Sequence, residues 1–375
     1  MQPINSHNLT REEQKRLLSG LIGATQHVRL DRERLRDVAR RARPSFESGW
    51  IRPFAQTDEH YGAKLVELDG LDSLQYAFIS ASQVWLIWER DHAGNPIPLT
   101  MTIDGVRYVG SYTLAACHVR AIRRGILDAN VLAEMTMQDV EEHYRDEASG
   151  IVKAQLLEER LANFNEVGRV LLEKYDGHFV NVLRKAERRL YRDDGSGLIQ
   201  LLERDFPRSF GDWPLAKLPN VFTFMLLDLR DREELATEFN TLLRFEDLDQ
   251  LEGGADYYRP WFFLRSGVFD ISDEFRDKLR KHELIEPGSQ MERDFRAMTI
   301  SAMRLLATEI DGDYVEALRL LERETHAQAL LRCRHCRVDI SDEELPCPYR
   351  ANCKATHEDH ALMDCAFPLV LTSEY

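Results

Sequence analysis

The chain has 375 residues, 43% of them apolar and 30% charged, so it can bury a full core without disulfides and reads as globular, not disordered. Its formal net charge of −15 argues against a broad polyanion-binding surface and leaves room only for a local basic pocket that takes a small phosphorylated ligand. The longest candidate for a membrane span, 221–227, meets Asp228 far short of the ~18 apolar residues required, and the polar 1–10 segment has no signal-like apolar core. A cytoplasmic protein with no membrane partner is expected, and six cysteines in a reducing compartment should form no structural disulfides.

Thr10 followed by Glu13 makes a capping box before Leu17, Leu18 and Leu21, which predicts a first helix. A second covers 31–41, with Leu35, Val38 and Ala39 on one side. The apolar segment 76–88 is too long for one strand and is read as a helix. Residues 99–112 alternate through Leu99, Met101 and Ile103, turn at Asp104-Gly105, and alternate again through Val106 and Tyr108. That is a hairpin with a type I′ turn signal.

From Thr113 onward the period is helical. Leu114, Cys117, Ala121 and Ile122 share a face, as do Leu156, Leu161, Phe164, Val167, Leu171 and Leu172. Asp176-Gly177 interrupts the pattern, Phe179, Val182 and Leu183 resume it, and Leu198, Leu201 and Leu202 lead to a stop at Phe206-Pro207. Helical patterns also cover 228–243, 273–281, 290–310 and 313–331. The expected fold is mainly α with one small β-hairpin and a cysteine-rich tail.

Three stretches carry a resemblance. The first runs from Tyr108, Gly110, Tyr112 and Leu114 through Arg120-Ala121 to Gly125-Ile126. The second runs from Leu157 and Arg160 through Asn165, Glu166 and Gly168, then Tyr175, Gly177 and Phe179, to Phe206, Phe210 and Asp212. The third is Ala255-Asp256-Tyr257, with Pro260 and Gly267-Val268 after it. Across about 75–285 the chain resembles the queuosine salvage proteins, the queuosine 5′-phosphate N-glycosylase/hydrolases. It departs from their pattern at Ala81 and Val84, where an Asp and an Asn are usual, at 225–228, where a basic pair is lost, at Gly254, where an aromatic is usual, and in the last five residues.

The resemblance implies a single large domain like that of the helical DNA glycosylases, placed here at 1–325, followed by a cysteine-rich segment at 326–375. It implies an N-glycosidase that releases a modified purine-like base from a small-molecule nucleotide, without a catalytic cofactor, in queuine salvage for tRNA modification. Breaking a base–ribose bond gives the sugar oxocarbenium character, which a nearby carboxylate stabilises. Asp256, in the Ala-Asp-Tyr segment, is the residue the resemblance points to. Gly253-Gly254 would let backbone approach a ligand, Tyr257 would stack or donate a hydrogen bond, and Pro260 would fix the turn. The bland reading of the same residues makes Asp256 a solvated turn residue or a helix N-cap.

Glu166 is a second carboxylate candidate, set against a solvated helix face or structural ion pair. Trp85 and Trp88 lie three apart and would share a helix face as a stacking wall for a flat base, set against plain core packing. Arg259 and Arg265 are candidates for holding a 5′-phosphate.

The tail carries Cys333-x-x-Cys336, ten residues, Cys347, five residues, and Cys353. Two paired cysteines make a tetrahedral zinc pattern, the first pair at standard knuckle spacing and the second looser. A structural zinc is the expected metal, with unrelated free thiols the other reading. A family member with altered activity, serving as a zinc-containing binding or interaction protein, is the alternative function. The acidic total weighs against a nucleic-acid polymer as partner.

Overall fold

The computed structural model describes residues 10–47, 68, 70–230, 237–310, 312–329, 333, 336 and 347–374. These fall into two compact units, one drawn from Met1–Gln14, Pro53–Gln250 and Thr372–Tyr375, the other from Lys15–Arg52 and Leu251–Leu371. The architecture is mainly α, with four two-stranded sheets among the described residues. No described helix is long and apolar enough to cross a membrane.

In chain order the elements begin with α1 (Arg11–Gly23), β1 (Val28–Leu30) and α2 (Arg32–Glu47). The helix-start signal at Thr10 holds, and the structure adds a second cap at Asp31. The Thr10 hydroxyl accepts from the Glu13 N–H, and Asp31 Oδ1 accepts from the N–H groups of Glu33 and Arg34, so both helices start on side-chain caps.

The first unit is built on α3 (Gly70–Ala81), whose residues from Ser73 to Ala81 are all buried. Phe78 sits at its centre, stacked on Phe179 at 4.5 Å and on Phe210 at 5.2 Å, with Phe206 edge-on at 5.0 Å. β2 (Trp88–Arg90) pairs with β3 (Pro96–Pro98), and β4 (Thr100–Ile103) with β5 (Val106–Val109). The β4–β5 hairpin has the expected register, Met101 opposite Tyr108. Its turn residues Asp104 and Gly105 lie at φ 48° and 76°, both positive as a type I′ turn demands.

Then follow α4 (Ser111–Ile122), α5 (Ala129–Ala133), α6 (Met137–His143) and α7 (Leu157–Lys174). α5 and α7 touch backbone to backbone at Gly168, where a Cβ would lie 2.2 Å from Ala133 N and 2.6 Å from Ala129 O. The unit continues with α8 (Val180–Ala186), α9 (Leu198–Asp205), α10 (Pro207–Phe210), α11 (Lys217–Arg230) and α12 (Thr237–Leu242). Of the helix expected over 228–243, residues 231–236 lie outside the described set.

In the second unit α13 (Tyr258–Ser266) leads into β6 (Phe269–Ile271), which pairs antiparallel with β1. α14 (Asp273–Arg280) and β7 (Leu284–Ile285) precede the long α15 (Gln290–Glu309) and α16 (Tyr314–Ala327). Ser272, Ser289 and Asp313 cap α14, α15 and α16 with their side-chain oxygens. A short α17 (Lys354–His357) and a 3-10 turn at His360–Asp364 lead to β8 (Leu369–Val370), parallel to β7.

Two expectations are corrected. The helix over 76–88 stops at Ala81, and Trp88 opens a strand. Leu86 takes φ 49° between them, a left-handed backbone that ends any helix. A buried apolar run carries no amphipathic period, so helix and strand read alike in it. The single hairpin is also too few. β2–β3 is a second local pair, while β1–β6 and β7–β8 join segments remote in sequence, which no local pattern announces.

Candidate active site

The Asp256 segment is a buried loop that enters α13. Gly253 is required by packing, since a Cβ there would stand 2.6 Å from Met303 Cβ on α15. The Gly254 N–H donates to Glu322 on α16, and the Ala255 carbonyl accepts from Arg296 Nε at 3.1 Å. Three consecutive residues are thus fixed by α15 and α16 before the chain reaches Asp256.

Asp256 is 6% exposed. Its Oδ1 accepts from the backbone N–H groups of Tyr258 at 3.0 Å and Arg259 at 3.1 Å, and its Oδ2 pairs with Arg259 Nη1. The carboxylate therefore caps the first turn of α13 from the residue before its N-cap position Tyr257; of the two bland readings this fits the cap and not the solvated turn. The same oxygen Oδ2 also lies 3.7 Å from His326 Nδ1, so the cap is not the whole of its surroundings.

Arg259 is buried and donates on its other side to the Glu322 side chain and, at 3.2 Å, to the Glu322 carbonyl. Burial works against its charge, but the Asp256 and Glu322 carboxylates outweigh burial and raise its pKa. Two carboxylates around one guanidinium leave one formal negative charge on this trio.

Aromatic rings stand beside the carboxylate. Tyr257 packs on Tyr258 at 4.7 Å and on Phe367 at 5.6 Å between centroids, and Tyr258 meets His326 edge-on at 5.5 Å. A fixed, water-poor carboxylate next to an imidazole and flat apolar rings can stabilise a developing cation and orient a water. Glu322, His326 and Phe367 had not been singled out from sequence. Glu322 and His326 are four apart on the predicted helix, hence on one face, and that spacing was the available signal.

Arg265, nearly two turns further along α13, turns elsewhere. It lies over Trp261 at 4.6 Å and donates to the carbonyls of Cys333 and, at 3.1 Å, Met363. The four cysteines Cys333, Cys336, Cys347 and Cys353 line one small cavity together with it.

The other candidates belong to the first unit. Trp85 lies in the loop after α3, with the Arg160 guanidinium 3.9 Å from its ring centre and its Nε1 donating to the Ser82 carbonyl at 3.1 Å. Trp88 opens β2, and its carbonyl accepts from Gln155 Nε2 at 2.6 Å. The pair shares no helix face, which corrects that expectation, and both rings are buried.

Glu166 on α7 accepts from the N–H groups of Arg208 at 3.0 Å and Ser209 at 2.9 Å, and from the Ser209 hydroxyl at 2.8 Å. It anchors the start of α10. Burial raises its pKa, against the lowering effect of those hydrogen bonds.

The sequence model of the family described as queuosine salvage protein matches residues 68–320. Three relatives are each named queuosine 5′-phosphate N-glycosylase/hydrolase. The mouse protein, from Mus musculus, is 28% identical over 58% of this chain and 61% of its own length. That from Schizosaccharomyces pombe is 27% identical over 67% of this chain and 70% of its own length. That from Sphaerobacter thermophilus is 30% identical over 52% of this chain and 58% of its own length. The chain thus spans less than two thirds of the mouse and Sphaerobacter proteins. A family match covering most of the chain, and containing the buried Asp256 segment, places it: the chain belongs to the queuosine salvage protein family.

Proposed function

We propose that this chain is an N-glycosidase that hydrolyses queuosine 5′-phosphate, or a closely related modified nucleotide, to free base and ribose 5-phosphate, and so supplies queuine for tRNA modification. The observation that carries the proposal is the Asp256 carboxylate, buried, held through both oxygens and set beside aromatic rings. The names of the three relatives support the same reading.

In this reaction the bond from C1′ to the base breaks and its electron pair leaves with the base, which takes up a proton. C1′ becomes cationic, and water adds its oxygen there and releases a proton. Asp256 supplies the negative charge that the cation needs, without the reorganisation that bulk water would require. Tyr257 offers its ring face or hydroxyl to the nucleotide. Water is the only co-reactant, so no cofactor is invoked.

Arg259 enters as a positioning group for Asp256 because its guanidinium is already shared by two carboxylates. Trp85 and Glu166 likewise enter as groups that shape the first unit, Trp85 through Arg160 and Glu166 through α10. The departures at Ala81, Val84 and Gly254 bear on which base is accepted, since a lost hydrogen-bonding partner changes discrimination more than it changes chemistry.

The test is incubation of the purified full chain with queuosine 5′-phosphate and, in parallel, a panel of purine nucleoside 5′-phosphates, with free base measured by mass spectrometry. Release of queuine, or of one related base, is expected. A folded chain that releases no base from any of them overturns the proposal.

A further inference from the structure

We propose that Cys333, Cys336, Cys347 and Cys353 bind one zinc ion, a structural site that cross-links the cysteine-rich segment beside the end of α13. The proposal is independent of the glycosidase reading. All four cysteines line one cavity of about 10 Å³, the scale of a single water-sized sphere. None of the four is in a disulfide, so no disulfide competes for them.

One side chain shows how closely the two cysteine pairs meet. Gln328 Nε2 is 3.0 Å from Cys347 Sγ and 3.9 Å from Cys333 Sγ, so one amide reaches a thiol of each pair. Cys353 Sγ donates to the Arg265 carbonyl at 3.2 Å, which brings the fourth thiol to the same helix end.

The surroundings suit a thiolate-bound dication. Four thiolates around Zn²⁺ leave two formal negative charges. Arg265 and Arg350 on the cavity lining lie where they offset that charge, and the Gln328 amide is placed to donate to a ligating sulfur. Soft sulfur donors in a tetrahedral set select zinc over hard cations. Among the described residues no three His, Cys, Asp or Glu side chains already stand in a ligating arrangement. Loading therefore requires side-chain rotations that draw the sulfurs to about 2.3 Å from a common centre. The Sγ position of a cysteine is set by χ1, which changes between staggered wells.

The experiment is elemental analysis of the full chain, purified reduced, before and after incubation with zinc salt and removal of excess metal. One zinc per chain is expected. Substitution with Co²⁺ should give the absorption of a tetrahedral thiolate site. The Cys347→Ser/Cys353→Ser double variant should lose the metal, and Cys117→Ser, which lies in the first unit, should keep it. If the double variant fails to fold, the zinc content and cobalt spectrum of the parent chain still decide. Less than about a tenth of a zinc per folded parent chain after reconstitution overturns the proposal. So do iron with an iron–sulfur chromophore, or zinc retained by the folded double variant.

Discussion

Glu322 accepts from the backbone N–H of Gly254, a residue 68 positions earlier in the chain, and with the same carboxylate pairs with Arg259. This one side chain thus holds both the loop that leads to Asp256 and the cation that flanks it. Removing it as Glu322→Leu leaves Arg259 half-paired in a buried place and the Gly254 N–H without its acceptor. Breaking a buried pair on one side costs about 3–5 kcal/mol, so the unfolding free energy extrapolated from urea titration at neutral pH should fall by that amount. Glu322→Gln keeps the acceptor and should cost less, but it leaves Arg259 to neutralise Asp256 more fully. Turnover should then fall by more than KM rises.

Gly168 is where α7 meets the backbone of α5. A methyl group at 2.2 Å from a main-chain nitrogen cannot be relieved by turning a side chain. Overpacking ordinarily costs about 1–3 kcal/mol, and Gly168→Ala should reach at least the top of that range. A thermal melt showing an unchanged midpoint would mean that the two helices do not approach as described.

His118 and His143 form a buried pair, His143 Nε2 to His118 Nδ1 at 2.8 Å. Burial disfavours the charged ring, taking the His118 pKa down to about 3 and that of His143 well below its usual value. Unfolding frees both rings to titrate near ~6.5. Below that pH the unfolded chain binds protons that the folded chain refuses. The stability from these groups is therefore complete above pH ~6.5 and declines as pH falls toward the folded values, by at most about 1.4 kcal/mol per pH unit for each ring. Urea midpoints measured at pH 7.5, 6 and 5 should drop progressively. A His118→Leu/His143→Leu variant should flatten that slope, and an equal slope in both proteins contradicts the assignment.

What the sequence carried locally came through. The Asp104-Gly105 turn, the cap at Thr10, and the helical periods that became α14, α15 and α16 all depend on interactions within a few residues. What it hid was non-local or degenerate. Trp85 and Trp88 sit in an apolar run whose burial on all sides erased its period, so the two rings seemed to share a helix face that does not exist. Glu322 reaches Arg259 and His326 reaches Asp256 only through tertiary packing, and nothing near residue 256 marks them. Asp256 could be read two ways, of which the structure shows the cap and leaves the catalytic role as a proposal. The cap is visible in its two backbone hydrogen bonds, and a ligand-facing role needs a carboxylate fixed in just that way.

The most direct test of the account is the rate of base release by Asp256→Asn beside that of the parent chain. Asparagine preserves the shape and is itself a good N-cap, so α13 should still start where it does. What it removes is the charge. With folding checked by circular dichroism and urea titration, release of base from queuosine 5′-phosphate should fall by at least roughly 10²-fold, the scale of losing one preorganised electrostatic group. A folded Asn variant that releases base at the parent's rate would contradict the assignment of Asp256 as the catalytic carboxylate.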